Sequence, residues 1–297
     1  MLQMNDVVKT FDDTRALDGL DLHVPDGCVY GLVGPNGAGK TTAINHLCGV
    51  LKQDSGMVTF DGQPIFDNPV VKSRIATIPS DIYYYTQASP RDLAKIYAGN
   101  YCTFSMEKFE KLQPVFDIDP KRLIRTLSKG MKKQVAFWLS LSMMPDVLLL
   151  DEPVDGLDPV MRRQVWSLVL AEVAERGMTV LASSHNLREL EDVCDSVGIM
   201  DKGKMLIERS LSELQDNIVK AQVAFAEEIV IPDGLNILHR VDTGHIATLI
   251  VRNPLSDVQA AFANLSPLFI DILPLTLEEI FVYELGGVGY EVKDIVL

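Results

Sequence analysis

Three short runs of apolar residues dominate the pattern of hydrophobic and polar positions along the chain. Residues 29–33, 147–150 and 179–182 are almost continuously apolar, which is typical of parallel strands buried on both faces of a sheet. Helical spacing of apolar positions follows the first run over residues 41–51 and separates the other two over residues 159–176. This alternation of strand and helix predicts an α/β fold whose parallel sheet has right-handed crossovers.

The segments around the first run have different periodicities. Residues 1–30 alternate apolar and polar positions between turn signals rich in Asp, Pro and Gly, which predicts short antiparallel strands. Residues 86–145 mostly follow the 3.6-residue period, with helix-start signals at Ser89-Pro90 and Ser105. A helical subdomain is therefore expected between two strand-rich parts of the chain.

The pattern changes again after residue 212, where shorter elements follow one another closely. The predicted elements are a strand at 221–226, a hairpin around 242–244, a helix at 256–265, a strand at 269–273 and a helix from Thr276. These elements suffice for a small α+β domain. We therefore predict a main domain of residues 1–215 and an accessory domain of residues 216–297.

Length, charge and cysteine content narrow the classes of function. The 297 residues are 47% hydrophobic, enough to bury a full core. The 27 basic residues are outnumbered by 41 acidic ones, the net charge is -14, and no long basic stripe is present, so nucleic acid is not an expected partner. Four scattered cysteines indicate small core residues in a reducing compartment. With no leader pattern and no apolar window near the roughly 20 residues of a membrane span, a soluble cytosolic chain is expected.

The sequence GPNGAGKT at residues 34–41 fits the phosphate-binding loop pattern. Glycines allow successive backbone N–H groups to converge on phosphates, and the following helix adds the positive end of its dipole. Lys40 is expected to reach the β- and γ-phosphates and the Thr41 hydroxyl to bind Mg²⁺. A chance glycine-rich turn is disfavoured because a strand precedes the loop and a helix follows it. The candidate nucleotide-binding residues here are Asn36, Gly37, Ala38, Gly39, Lys40, Thr41 and Thr42.

Two other predicted strands are followed by ionisable residues that could act in catalysis or metal binding. Asp151 and Glu152 follow the run at 147–150, and His185 follows the run at 179–182. At the carboxyl edge of a parallel sheet, Asp151 can hold the water shell of the metal and Glu152 can polarise the attacking water. His185 can report on the γ-phosphate through a hydrogen bond. The competing interpretations are an ordinary acidic turn and a structural histidine.

The stretches GPNGAGKTT, LSKGMKKQ, LLLDEP, GLD at 156–158 and SSH occur in this order and resemble the nucleotide-binding domain of ATP-binding cassette (ABC) proteins over residues 1–215. The resemblance implies a P-loop (RecA-like) ABC ATPase core with an antiparallel β subdomain and a helical subdomain. It also implies ATP and Mg²⁺ as ligands, with Lys40, Glu152 and His185 in catalysis. ATP would drive closure of a dimer with a second copy or a homologous ABC subunit, and this closure would move a separate integral membrane permease.

Within that family, the signature of one cassette caps the ATP bound to the other. The resemblance assigns this role to Ser128 and Gly130 and places Asp158 across the interface, whereas an ordinary capped helix is the alternative for LSKG. Phe11 stands where the family has an aromatic that stacks on adenine. A core phenylalanine in a strand is the alternative for that residue.

The chain departs from the family pattern where a glutamine usually reaches Mg²⁺. Ser80 occupies that place, and it is expected to contribute to the metal site through a bridging water or with help from Asp81. Residues 83–85 are three tyrosines, which suit a contact with a helix of the membrane subunit. They equally suit packing inside the helical subdomain.

The C-terminal part carries a weaker resemblance. Residues 272–287, ILPLTLEEIFVYELGG, are similar to the ending of cassettes that serve ABC-2-type exporters, and residues 220–297 resemble the YtrB-type branch. The expected function is thus the ATPase subunit of an exporter, cytoplasmic and peripheral at the inner face of the cell membrane through its permease. The alternative is a soluble ABC ATPase with a regulatory or mechanical role.

Overall fold

The structure of the protein is a computed structural model. In it, the continuous apolar runs form strands, and glycine-rich turns connect the first of these strands to a helix. The structure describes residues 1–85, 87–186, 188–213, 218–225, 230–263, 265, 267–276, 278–280 and 283. The chain divides into two units, Met1–Glu208 and Arg209–Leu297. The predicted boundary was at residue 215.

A six-stranded sheet forms the centre of the first unit. Its strands are β3 (Val29–Val33), β6 (Ile75–Ile78), β7 (Val147–Asp151), β8 (Thr179–Ser184), β9 (Ser196–Asp201) and β10 (Lys204–Ser210). Their order is β10-β9-β3-β8-β7-β6, and β3, β6, β7, β8 and β9 pair in parallel. Every residue of β3, β7 and β8 is buried, as the continuous apolar runs predicted.

A four-stranded sheet contributes the second layer of this unit. Its strands are β1 (Leu2–Phe11), β2 (Thr14–Val24), β4 (Ser55–Phe60) and β5 (Gln63–Pro64), in the order β2-β1-β4-β5 with antiparallel pairing. One core cluster joins side chains of both sheets with those of the helix α1 (Lys40–Leu47). The short helix α2 (Pro69–Lys72) precedes β6. The predicted helix over residues 41–51 ends early because Gly49 has φ of 69°, in the left-handed region that terminates helices.

The predicted helical subdomain lies between β6 and β7. It contains α3 (Pro90–Asn100), α4 (Met106–Phe116), a 3-10 turn at Ile124–Thr126 and α5 (Lys129–Ser142). Serine side chains cap all three α-helices, because Ser89, Ser105 and Ser128 each accept a backbone N–H of the first turn. The Trp138 ring stacks on Phe109 with centroids 4.2 Å apart. Two further helices, α6 (Pro159–Arg176) and α7 (Arg188–Glu191), follow β7 and β8, and α6 has the bounds that the periodicity predicted.

The second unit is a sheet with a helix packed on one face. Its strands are β11 (Val219–Ala224), β12 (Ile237–Thr243), β13 (Ile246–Val251) and β14 (Phe269–Pro274), and its helix is α8 (Leu255–Ala263). The strand order is β12-β13-β11-β14, antiparallel throughout. Val258 and Phe262 of α8 join the core formed by alternate residues of β11 and β13. The predicted hairpin is β12–β13, while Ala226 and most of the helix predicted from Thr276 lie outside the described residues.

One sequence-based expectation fails for a cysteine. Cys28 and Cys194 are buried and Cys48 is half-buried, but Cys102 is exposed rather than part of a core. Within the described ranges, no helix has the length and apolar character needed to cross a bilayer.

Candidate functional site

The phosphate loop connects β3 to α1, and close packing of its backbone explains the glycines. A Cβ on Gly34 would lie 2.3 Å from the carbonyl oxygen of Met200, and one on Gly39 would lie 2.6 Å from that of Ala16. Gly39 also has φ of 105°, which a larger residue adopts only with strain. Asn36 and Gly37 are exposed. The loop therefore leaves its backbone open to a ligand in front of the N-terminus of α1, where N–H groups favour phosphate.

Lys40 points back into this loop. Its Nζ donates to the carbonyl oxygens of Gly34 and Pro35 at 2.7 and 3.2 Å. Burial lowers the pKa of Lys40, while the carboxylates of Glu152 and Asp151 act in the opposite direction. The ammonium of Lys40 thus lies against the backbone of the candidate phosphate loop, and its contact with the β- and γ-phosphates stays a prediction.

Thr41 and Asp151 meet although they are 110 positions apart in the chain. The Thr41 hydroxyl donates to Asp151 Oδ2 at 2.8 Å, and the Ser183 hydroxyl donates to Asp151 Oδ1 at 2.6 Å. The register of the parallel strands, which pairs Asp151 with Ser183, creates the second contact. Ser183 was not predicted from the sequence, because a serine at the end of a strand has no local signature of a buried partner; strand pairing identifies it.

The oxygen donors of Thr41 and Asp151 suit Mg²⁺, which prefers few protein oxygens together with substrate phosphates. Among the described residues, no three His, Cys, Asp or Glu side chains form a metal cluster. Ser80 is half-buried just beyond the end of β6, and the pairing of Ile78 with Leu150 puts that end beside β7. Ser80 therefore lies at the same sheet edge, and its contribution to a metal site stays a prediction.

Glu152 is held at its backbone and at its side chain. Its N–H donates to Ser183 Oγ at 3.1 Å, and its carbonyl accepts from Lys133 Nζ at 2.6 Å. Its Oε2 lies 2.9 Å from His185 Nδ1 and its Oε1 lies 3.9 Å from Lys40 Nζ. The structure thus brings together the three predicted catalytic residues Glu152, His185 and Lys40. No local signal in the sequence predicts the contact of Lys133 with Glu152.

The residues predicted to act across a dimer interface are Ser128, Gly130 and Asp158, and the side chains of Ser128 and Asp158 bond to their own helices. Ser128 Oγ accepts the N–H of Met131 at 3.2 Å, and Asp158 Oδ1 accepts the N–H of Val160 and Met161 at 3.0 Å each. Both residues are exposed caps of their helices, and among the described residues no hydrogen bond joins either to the phosphate loop. Their predicted contacts with a nucleotide stay predictions.

The aromatic candidates divide between surface and interior. Phe11, at the end of β1, is 42% exposed, so the alternative of a core phenylalanine is wrong, and Lys9 Nζ lies 5.4 Å from its ring centroid. Tyr83 and Tyr85 are 92% and 74% exposed. The Tyr84 hydroxyl instead donates to the carbonyl of Lys132 at 3.4 Å in the helical subdomain. Packing inside the helical subdomain is thus confirmed for Tyr84, whereas a contact of the exposed Tyr83 and Tyr85 with a membrane subunit stays a prediction.

Comparison with known proteins agrees with the resemblance found in the sequence motifs. Residues 17–155 match the ABC transporter family. The chain is 31% identical to the ABC transporter ATP-binding protein YtrB of Bacillus subtilis, over 97% of this chain and 99% of that protein. It is 33% identical to the daunorubicin/doxorubicin resistance ATP-binding protein DrrA of Streptomyces peucetius, over 73% of this chain and 67% of that protein. The bacitracin transport ATP-binding protein BcrA of Bacillus licheniformis is 32% identical, over 72% and 71% of the two chains.

Solved structures agree with the fold. An ATP-binding subunit of an ABC transporter superposes with a TM-score of 0.67 at 25% identity, over 72% of this chain and 92% of the other. A dimeric bacterial ABC transporter cassette superposes with a TM-score of 0.65 at 20% identity, over 71% and 99% of the two chains. The end-to-end similarity to YtrB, together with the assembled phosphate loop and acidic strand end, shows that this chain belongs to the ATP-binding proteins of ABC transporters and is an ATPase of the predicted YtrB-type, ABC-2 exporter branch.

Proposed function

We propose that this chain is the ATP-hydrolysing subunit of an exporter and that it drives a separate integral membrane permease. The observation that carries the proposal is the set of Lys40, Thr41, Asp151 and Glu152 at one edge of the central sheet. Export rather than import is supported by relatives named for daunorubicin/doxorubicin resistance and for Nod factor export. The cargo is selected by the permease and is not encoded in this chain.

The phosphates of ATP bind the open backbone of the loop and the ammonium of Lys40, while Phe11 offers an exposed ring for the adenine. Mg²⁺ would be held by Thr41 and Asp151, with Ser80 acting through a water, and it supplies neutralisation of phosphate charge when bound. These residues provide positioning and charge, which is most of what phosphoryl transfer requires.

Glu152 acts on the water that attacks the γ-phosphate. Its carboxylate is only 16% exposed and lies between His185 and Lys40, so its orientation is fixed before the substrate binds. In this position it accepts a hydrogen bond from the water and directs the oxygen lone pair toward phosphorus. His185 orients the carboxylate from the other side and can donate to the γ-phosphate.

A second copy, or a homologous ABC subunit, completes the site. The exposed Ser128 and Asp158 lie at two helix N-termini that have no hydrogen bond to the phosphate loop of their own chain among the described residues. Ser128 and Gly130 would then bind the γ-phosphate held by the partner. ATP binding thus favours the closed pair, and hydrolysis reopens it.

The exposed Tyr83 and Tyr85 provide a surface for the permease. Large aromatic side chains dominate binding energy at protein interfaces, and these two flank the half-buried Tyr84. The chain would lie at the cytoplasmic face of the membrane through this contact. The net charge of -14 argues against nucleic acid as its partner.

The first test is the substitution Glu152→Gln, which keeps the size of the side chain but removes the carboxylate. We expect ATP turnover to fall by about a hundredfold or more, in line with general-base contributions, and an ATP-bound dimer to accumulate in size-exclusion chromatography. Glu175→Gln, an exposed change on α6, is the matched control and should leave both properties unchanged. Normal turnover in Glu152→Gln would remove Glu152 from its proposed role.

The permease is tested separately by affinity purification of the tagged chain from detergent-solubilised membranes. A polytopic membrane protein should co-purify, and Tyr83→Ala/Tyr85→Ala should weaken that association while leaving ATP turnover of the isolated chain unchanged. Recovery of the chain without any membrane protein would favour the soluble regulatory or mechanical ATPase instead.

A further inference from the structure

Glu152 has a backbone conformation that needs support. Its φ is 48°, in the left-handed region that is strained for a residue with a Cβ. Such a conformation persists only where surrounding groups determine it. Here the Ser183 hydroxyl binds the N–H of Glu152 on one side of the residue, and the Lys133 ammonium binds its carbonyl on the other.

Lys133 is unusual for a lysine because it is 2% exposed. Burial lowers its pKa, and the nearby Asp155 acts most strongly in the opposite direction. A buried ammonium is costly unless it is paired and hydrogen-bonded. Its bond of 2.6 Å to the Glu152 carbonyl is charge-assisted and therefore among the stronger hydrogen bonds of a protein.

The helix that carries Lys133 contacts the same segment at a second point. A Cβ on Gly130 of α5 would lie 2.7 Å from the carbonyl oxygen of Gly156, so the first turn of α5 packs directly on the backbone that follows Glu152. Helix α5 is thus joined to the segment after β7 both by a close backbone contact and by the Lys133 side chain. A shift of α5 would pull on the carbonyl of Glu152.

We propose that Lys133 is a positioning residue for hydrolysis: by holding the Glu152 carbonyl, it keeps the carboxylate between Lys40 and His185 and links the position of α5 to the catalytic group of the same chain. The proposal rests on the proposed role of Glu152. It differs from the role of Ser128 and Gly130 on the same helix, because those residues act on the nucleotide of the partner, whereas Lys133 acts within one protomer.

The test uses Lys133→Met in the full chain, which keeps the length of the side chain and removes the donor. Without the Lys133 ammonium the Glu152 backbone can shift and misplace the carboxylate, so kcat should fall by about ten- to a hundredfold. KM for ATP should change by less than about twofold, since the phosphate loop is untouched.

The matched control is Lys108→Met. Lys108 forms a partly buried ion pair with Glu172 that joins α4 to α6 away from the site, so its loss should lower the thermal unfolding midpoint and leave kcat unchanged. A double-mutant cycle distinguishes a positioning role of Lys133 from a purely structural one. In single-turnover hydrolysis, Lys133→Met/Glu152→Gln should equal Glu152→Gln within about twofold, because no carboxylate remains to be positioned.

The outcomes distinguish failure of the proposed role of Glu152 from failure of the positioning role of Lys133. If Glu152→Gln turns over normally, the proposed role of Glu152 is wrong. If Glu152→Gln is inactive while Lys133→Met keeps the kcat of the original chain, only the positioning role of Lys133 is wrong. A further loss in the double variant beyond that of Glu152→Gln also overturns it. If Lys133→Met does not fold, Lys133→Gln, whose side chain is one bond shorter and carries no charge, is used with the same expectations.

Discussion

At the scale of single residues, the hydroxyl of Ser183 forms hydrogen bonds to both Asp151 and Glu152. Its hydrogen goes to Asp151 Oδ1, and its oxygen accepts the N–H of Glu152. Asp151 is 2% exposed and its other oxygen accepts from Thr41, so each contact replaces water that the carboxylate has lost on folding. Ser183 thereby fixes the metal candidate and the catalytic candidate relative to each other.

Ser183→Ala is expected to remove both bonds and to leave a buried carboxylate oxygen and an N–H without that partner. The cost is about 1 to 3 kcal/mol of stability, with a lower ATP turnover because Glu152 loses one of its two backbone supports. Thermal unfolding and steady-state hydrolysis measure the two effects. Ser167→Ala is the control, since its hydroxyl bonds only to a carbonyl of its own exposed helix turn. Equal behaviour of the two variants would contradict the bridging role of Ser183.

At the scale of elements, α5 connects the helical subdomain to the end of β7. Ser128 caps it, Gly130 allows its first turn to approach Gly156, and Lys133 reaches Glu152. The spacing of apolar residues in α5 is that of any amphipathic helix, so it does not indicate a special role. Its function depends on what its first two turns touch.

Gly130→Ala is expected to lower both stability and turnover, although alanine favours helices. The new methyl group would lie 2.7 Å from a backbone oxygen, so α5 or the Gly156 segment must move. Gly99→Ala is the matched control in α3, where a Cβ meets nothing within 4 Å. It should stabilise the chain by about 0.5 to 1 kcal/mol with unchanged turnover. Full activity of Gly130→Ala would show that the close contact with Gly156 is unimportant.

At the scale of the whole molecule, the site residues all lie in the unit Met1–Glu208, and the unit Arg209–Leu297 has its own core. The first unit presents two capped helix N-termini, at Ser128 and Asp158, to the surface. In the proposed function, both N-termini act on a nucleotide bound to a partner molecule, so two molecules share each nucleotide.

Ser128→Asp tests this assumption while preserving the helix cap, because aspartate caps helices as well as serine does. The added carboxylate would repel the γ-phosphate of the partner, so turnover should fall by about tenfold or more, and ATP binding to dilute monomer should be unchanged. Ser105→Asp, at the equivalent cap of α4, controls for the substitution itself. Weaker binding of ATP by the Ser128→Asp monomer would contradict a role across the interface.

The sequence by itself determined the parts of the fold that depend on local signals. Continuous apolar runs are stable only as strands covered on both faces, which predicted β3, β7 and β8, and the glycines of the phosphate loop permit a backbone path that other residues cannot follow. Helix starts were predictable because serine caps act within three residues. The resemblance to ABC proteins added the signature and the partner.

Only the tertiary structure decided the contacts between distant segments. Strand register pairs Asp151 with Ser183, side-chain reach joins Lys133 to Glu152, and packing turns Tyr84 inward while Tyr83 stays exposed. None of these has a local signature, because a hydroxyl or an ammonium is equally compatible with solvent and with a buried partner. Which of the two it meets depends on the simultaneous packing of sheet, loop and helix.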